Sequence, residues 1–283
     1  MNIYIVIPAH NEEDCIALML HSLANQTLLP KKVIVVNDDS TDNTQQIIDA
    51  FSSKNSWLQG VSIKSSKEHI PGSKVINAFY KGFETLDDDY DIICKFDADI
   101  ILPENYLESI VTLFNTYKKV GIAGGLAYIK KNKTWVYETV ASKDHVRGPF
   151  KAYRKECFKA IGGLKQSIGW DTVDTLLTKY YGWTVKTDQT LHVKHLKPTG
   201  QSYSKKSALL QGEAFYKMRY GIIISVIAAL KKSIKNRSFL ILVNDIKGFC
   251  KAKRNKKDFL VSKAEGKFIR KLRWKGIKQA FFG

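Results

Sequence analysis

Only four cysteines, Cys15, Cys94, Cys157 and Cys250, occur in 283 residues, and no two of them stand in a CxxC spacing. That excludes a disulfide scaffold, argues against a structural zinc site, and points to a reducing compartment. Long apolar runs are missing as well. The longest, Gly221 to Leu230, is about half of the roughly 20 residues a spanning helix needs, so no membrane crossing is expected. No basic stretch and small-residue cleavage site accompany the first apolar segment, Ile3 to Ile7, and no secretory leader is expected. The loop after that segment, Ala9-His10-Asn11-Glu12-Glu13, lacks the glycines and cations of a phosphate-binding loop. Acids are rare towards the end of the chain. Lys231 to Gly283 holds 17 basic residues against 3 acidic ones, which is 14 of the whole chain's surplus of 18. The tail, rather than the rest of the chain, calls for an anionic partner.

What is present is a repeated alternation of buried strand and amphipathic helix. Ile3 to Ile7, Val33 to Val36, Val61 to Lys64 and Tyr90 to Phe96 read as strands, the first two as continuous apolar runs of the kind covered on both faces. Between them Ile16, Met19, Leu20 and Leu23, then Ile47, Ile48 and Phe51, mark helical faces. A third helix is expected from the loop Glu68 to Lys74 through Leu86. The β-α-β-α-β-α-β order predicts an open, mostly parallel sheet with helices on both faces. In such sheets ligands sit beyond the carboxyl ends of the strands, and the polar, acid-rich turns of this chain fall there.

The most distinctive of those turns is Phe96-Asp97-Ala98-Asp99, followed by Pro103, which is well placed to open a helix. Alternation points Asp97 and Asp99 the same way, with no cation expected in the immediate sequence to neutralise them. A divalent metal of the hard, oxygen-preferring kind, Mn2+ or Mg2+, would neutralise the pair and keep positions open for phosphate oxygens. The competing reading is an acid pair that caps the helix after it.

Ile5-Val-Ile-Pro-Ala-His-Asn-Glu-Glu13, Val35-Val-Asn-Asp-Asp-Ser-Thr-Asp-Asn-Thr44 and Phe96-Asp-Ala-Asp99 together resemble the family 2 glycosyltransferases of the GT-A fold, through about residue 200. The stretch from Gly148 to Leu164 resembles the family's segment before its catalytic acid. The resemblance implies a catalytic domain over 1–204, followed by a basic helical region over 205–283. It implies a nucleoside-diphosphate sugar, expected to be UDP-linked, lying along Pro8, Ala9, Asn11, Glu12, Asp38, Asp39, Lys74, Asp97 and Ala98. It places the metal on Asp99, with Asp97 and a late histidine. Asn37-Asp38-Asp39-Ser40 stands where the family usually reads Asp-Asp-Gly-Ser, which leaves Asp38 and Asp39 both open as the acid facing the base, while Asp42 suits a helix cap.

The family's general base is expected on the helix that ends at Gly182. Asp171 is the first candidate, and Asp174, three residues on, competes with it. Of the two histidines in Thr190 to His195, which alternation turns to opposite sides, His195 is preferred over His192 for the metal. Arg147 is a candidate contact for diphosphate or acceptor, with a paired structural arginine as the alternative. The acceptor implied is a glycan or a lipid-linked hydroxyl in surface polysaccharide or glycolipid synthesis, reached by inverting displacement.

In the tail, Phe239, Leu242, Val243, Ile246, Phe249 and Cys250, and again Phe268, Ile269 and Leu272, form helical stripes among lysines and arginines. Such helices suit the cytoplasmic face of an anionic membrane, or else pack as a cap. A cytoplasmic, peripheral location is expected. Two other classes compete: a basic nucleic-acid-binding protein, and a nucleotidyltransferase on a similar sheet. No nucleic-acid partner is expected, since the tail holds no binding motif of known geometry and the acidic turns would repel phosphate.

Overall fold

The computed structural model describes residues 1–65, 72–139, 142–197 and 208–282. The chain divides into two compact units. Among the described residues the first holds 1–65, 74–164 and 181–197, and the second holds 72–73, 165–180 and 208–282. The expected boundary at 204/205 lies outside the described residues, as do most of the loop before Lys74 and the segment 198–200. The units interleave in sequence, because 165–180 groups with the later helices.

In the first unit β1 (Ile3–Ala9), β2 (Lys32–Asp38), β3 (Leu58–Ile63) and β4 (Ile92–Phe96) are parallel in the order β3-β2-β1-β4. Ile5, Val6 and Ile7 are fully buried, as continuous apolar strands must be. Each such side chain contributes about 1.5–3 kcal/mol by leaving water. Helices α1 (Ile16–Ala24), α2 (Thr44–Ser52) and α3 (Ser73–Phe83) make the connections. α3 lies against the sheet at Gly82, where a Cβ would stand 2.6 Å from Val36 and 2.7 Å from Val6. The chain walks outward from β1 to β3 and then returns to β4 on the other side of β1. That reversal opens the crevice at the ends of β1 and β4.

Beyond β4 the sheet is mixed rather than parallel. β8 (Phe150–Arg154) runs antiparallel to β4 and to β6 (Val120–Lys131), and β6 is parallel to β9 (Thr184–His195). β7 (Thr134–Tyr137) folds back on β6. A two-residue strand, β5 (Ile100–Ile101), pairs antiparallel with β9 and inserts itself between the acid turn and the next helix. α4 (Tyr106–Thr116) therefore starts later than Pro103, whose carbonyl instead accepts the Tyr106 N–H at 3.0 Å. α5 (Lys155–Ala160) follows β8.

The second unit is helical: α6 (Trp170–Tyr180), α7 (Leu210–Lys217), α8 (Ile222–Lys235), α9 (Phe239–Arg254) and α10 (Lys263–Phe282). α7 and α9 touch backbone to backbone. A Cβ on Gly212 would stand 1.8 Å from the Asp245 carbonyl oxygen, and one on Gly248 2.0 Å from that of Leu209. The expected stripes are partly core, with Phe249 and Ile269 buried, and Phe268 meets Tyr180 ring to ring at 5.4 Å. Among the described residues no helix is long and apolar enough to cross a membrane.

Candidate functional site

The turns after β1 and β2 are tied together by their own side chains. Asn11 and Asp39 both adopt left-handed backbone conformations, at φ 53° and 56°. Asn and Asp tolerate this region better than other residues that carry a Cβ. Asn11 donates its N–H to Ser40 Oγ at 3.0 Å and accepts the Thr41 N–H on Oδ1 at 2.8 Å. Glu12 donates its N–H to Thr44 Oγ1 at 2.8 Å, and His10 Nδ1 donates to the Asp38 carbonyl at 2.6 Å. Asp42 lies one residue before the N-cap, Asn43, rather than at it, and accepts the Thr44 N–H at 3.0 Å.

Asp38 and Asp39, open alternatives in the sequence, part company here. Asp39 supplies a backbone shape that glycine adopts most readily, and its side chain is exposed. Asp38 is buried, with Oδ1 accepting the Ser65 N–H at 2.9 Å and Oδ2 accepting the Ser65 hydroxyl at 2.7 Å. Asn37 uses both halves of its amide, donating to Gln45 Oε1 at 2.6 Å and accepting the Ser40 N–H at 3.2 Å. Pro8 and Ala9 end β1 beneath these turns, Ala9 buried.

The acid pair proves to have a cation of its own. Lys95, two residues before Asp97, is buried and ion-paired with Asp97 Oδ1. The expectation of two acids without a nearby cation is thus corrected. Alternation places the Lys95 side chain on the side of Asp97, and a buried ammonium in a strand interior requires an anionic partner. Lys151 faces Lys95 across β4 and β8 and is buried too.

Asp99 meets a different set of partners. The pairing of β5 with β9 sets Ile100 opposite His195, and Leu196 donates its N–H to the Asp99 carbonyl at 2.8 Å. His195 Nε2 then lies 3.5 Å from Asp99 Oδ2, and His195 Nδ1 donates to Glu138 Oε2 at 3.3 Å. Glu138 is ion-paired with Arg147, and all three of His195, Glu138 and Arg147 are buried. The Arg147 guanidinium thus has a structural carboxylate partner. Glu138 itself was missed in the sequence, because nothing local marks an acid that follows a short strand. His192 lies elsewhere, against Tyr128 with ring centroids 4.2 Å apart.

Glu12 lies within electrostatic reach of Asp99 and accepts a hydrogen bond from Lys197 at 2.7 Å. Burial raises its carboxyl above the ordinary carboxylate range. Lys197 works against that rise, and the negative charges of Asp99 and Asp97 add to it. Ala98 is buried between the two acids.

The donor chemistry fits a hard divalent ion. With Nδ1 donating to Glu138, a neutral His195 ring would present its Nε2 lone pair to an Asp99 carboxylate oxygen, and a cation between them would satisfy both acceptors. Among the described residues no three His, Cys, Asp or Glu side chains gather into a metal cage. The protein would thus supply few ligands and leave the rest to phosphate oxygens and water, as magnesium and manganese sites with nucleotides do. Asp97 is not gathered with Asp99 and His195 into such a set; its Oδ1 is turned to Lys95.

The base candidates lie on α6 in the second unit. Asp171 is in the first turn and half-buried, whereas Asp174 is only 1% exposed, with its carboxylate accepting the Thr175 N–H. Lys74 lies in the first turn of α3, half-buried.

Comparison with known proteins converges on one family. The family described as Glycosyl transferase family 2 matches residues 4–164. The probable glycosyltransferase YdaM of Bacillus subtilis (strain 168) is 34% identical over 137 residues, covering 46% of this chain and 30% of the relative. The O-antigen chain rhamnosyltransferase WbaN of Salmonella anatum is 25% identical over 166 residues, covering 52% and 50%. The chain thus spans half or less of the length of these curated relatives. Among solved structures, S. aureus TarS 1–349 in complex with UDP-GlcNAc superposes with a TM-score of 0.60 at 18% identity, over 77% of this chain and 65% of that one. The mannosyltransferase PcManGT from Pyrobaculum calidifontis, in complex with GDP-Man and Mn2+, does so at 0.56 and 13% identity, over 99% and 81%. The fold is shared with these proteins.

Proposed function

Because the chain belongs to glycosyl transferase family 2, we propose that it moves a sugar from a nucleoside-diphosphate sugar, UDP-linked, to a hydroxyl of a glycan or lipid-linked acceptor in surface polysaccharide or glycolipid synthesis. The observation that carries the reading is the meeting of Asp99 and His195 just past the end of β4, with the buried Asp38 ending β2 in the same sheet. Complexes of structural neighbours with UDP-GlcNAc and with GDP-Man and Mn2+ support the donor class and the ion.

The chain's residues divide the work by their surroundings. Asp38, held rigid by Ser65, receives the nucleoside, with Pro8, Ala9, Asn11 and Glu12 lining the turn beside it. Glu138 and Arg147 fix the His195 ring so that Nε2 is presented towards Asp99, and these two residues would hold Mn2+ or Mg2+. The ion supplies charge stabilisation for the departing diphosphate. Lys95 keeps Asp97 oriented at the same edge, and Lys74 adds a cation for the phosphate side. Asp171 takes the proton of the acceptor hydroxyl for in-line, inverting displacement, a role that its exposure suits better than that of Asp174.

The decisive experiment is a screen of nucleotide-sugar hydrolysis and transfer, with and without Mn2+, on the parent and on Asp99→Asn. Release of nucleoside diphosphate that stops with chelation or in Asp99→Asn is expected. Release of pyrophosphate, or turnover untouched by both, would refute the reading. The helical second unit is where we place contact with the cytoplasmic face of an anionic membrane.

A further inference from the structure

Helix α8 is amphipathic in the inverted sense. Its buried positions are Ile224, Ser225, Ala229 and Ser233, mostly small residues that let it lie close to α9. Apart from the buried Ile224, its large aliphatic residues are exposed or, like Val226 and Ile227, half-buried. Ile223, Ile227, Leu230 and Ile234 recur at four- and three-residue intervals and form a stripe about 60° wide. Ile223 is 62% exposed and Ile234 69%, and the start of α9 continues the apolar surface with Phe239 at 72% and Leu240 at 65%. Scattered exposed leucines are ordinary, but a stripe of isoleucines turned away from a helix's own packing face is not.

The surroundings of the stripe select its partner. Lys231 and Lys235 lie along one flank and Arg237 in the turn, all exposed, while Lys232 is turned inward towards Asp245 at 3.6 Å. The turn is firmly built. Arg237 is left-handed at φ 50°, Ser238 donates its N–H to the Ser233 carbonyl at 3.0 Å, and Ser233 Oγ donates to the Ser238 carbonyl at 2.8 Å. No acid lies between Ile222 and Asn244. A protein partner for so apolar a strip would need no such uniform charge, whereas an anionic lipid surface takes both features at once.

We propose that the α8–α9 hairpin lies in the interface of an anionic bilayer, with Ile223, Leu230, Ile234, Phe239 and Leu240 entering the acyl boundary and Lys231, Lys235 and Arg237 meeting the headgroups. The helix lies on the membrane and does not span it, since α8 is 14 residues long. This sharpens the membrane contact proposed above and replaces the α9 and α10 stripes, whose Phe249 and Ile269 are buried, with a specific surface. It is independent of the donor and the reaction.

The test is flotation of the full chain, without donor, on phosphatidylcholine vesicles with and without phosphatidylglycerol. Retention on the anionic vesicles alone is expected. Lys231→Gln with Lys235→Gln is expected to weaken it on the order of twentyfold. Ile234→Ser with Phe239→Ser should weaken it at least about tenfold, with an unchanged thermal midpoint because both side chains are exposed. Equal retention on neutral vesicles, no retention, or variants that bind like the parent would overturn the proposal. So would light scattering that shows a dimer which Ile234→Ser with Phe239→Ser dissolves, since the stripe would then be a self-association face. Loss of transfer to a water-soluble acceptor, with flotation intact, would count against the enzymatic reading and leave this one standing.

Discussion

Glu138 Oε2 accepts the Nδ1 hydrogen of His195 at 3.3 Å, and this contact between residues 57 positions apart decides which ring nitrogen is available to Asp99. A carboxylate can only accept, so Nδ1 carries a hydrogen; in the neutral ring that a metal would need, Nε2 then turns its lone pair towards Asp99. Arg147 completes the arrangement by pairing with Glu138, so the buried charge is balanced away from the reacting edge.

Glu138→Gln should therefore weaken binding of Mn2+ about 10- to 100-fold, and it should also lower the thermal midpoint because it removes the counter-charge of the buried Arg147. An amide can present either a donor or an acceptor to Nδ1 and no longer dictates the tautomer. Titration of the metal by calorimetry or by the electron paramagnetic resonance of free Mn2+, in the absence of donor sugar, reads this directly. Unchanged affinity would show that Glu138 serves only to bury Arg147.

Asp171→Asn is expected to lower kcat by about 10²- to 10⁴-fold with nucleotide binding unaltered, as removal of a general base does. Asp174 is nearly inaccessible, so Asp174→Asn should cost stability before it costs turnover. Parallel kinetics and thermal melts of the two variants separate them. A catalytic loss in Asp174→Asn alone, at an unchanged melting point, would move the base along α6.

Asp245, buried in α9, has its carboxyl pushed above the ordinary range by burial, against the pull of Lys232. A raised carboxyl pKa means the folded state holds its proton longer than the unfolded chain. The associated stability is complete at acid pH and is lost as pH rises through the raised value. Asp245→Asn removes that titration, so the melting difference between variant and parent should shift in favour of the variant from about pH 4 upward. A difference that stays flat with pH would contradict this sign.

Gly248→Ala should destabilise the helical unit by about 1–3 kcal/mol, because its new methyl would meet the Leu209 carbonyl at 2.0 Å. Alanine favours a helix over glycine, so a propensity argument alone predicts the opposite sign. Thermal melts followed by far-ultraviolet circular dichroism distinguish the two.

The parallel half of the sheet and the acids at its carboxyl edge were legible in the chain as it is written. Ile3 to Ile7 and Val33 to Val36 bury both faces, which demands continuous apolar sequence, and the strand-to-helix turns stand out because polar residues interrupt those runs. Such features depend on neighbours a few positions away. Asp39 could be recognised as displaced from a glycine position, but the reason, a left-handed φ of 56°, is a property of the folded turn.

Tertiary structure alone decided the rest. The register of β5 on β9 set His195 against Asp99, and Glu138 with Arg147 found the histidine across a long loop closure. Lys95 became the partner of Asp97 because the β4 interior offered it no water. The outward stripe of α8 is invisible to periodicity, since a helical repeat of isoleucines reads the same whether it faces a core or a membrane. Only the small residues packed behind it, against α9, show which way it turns.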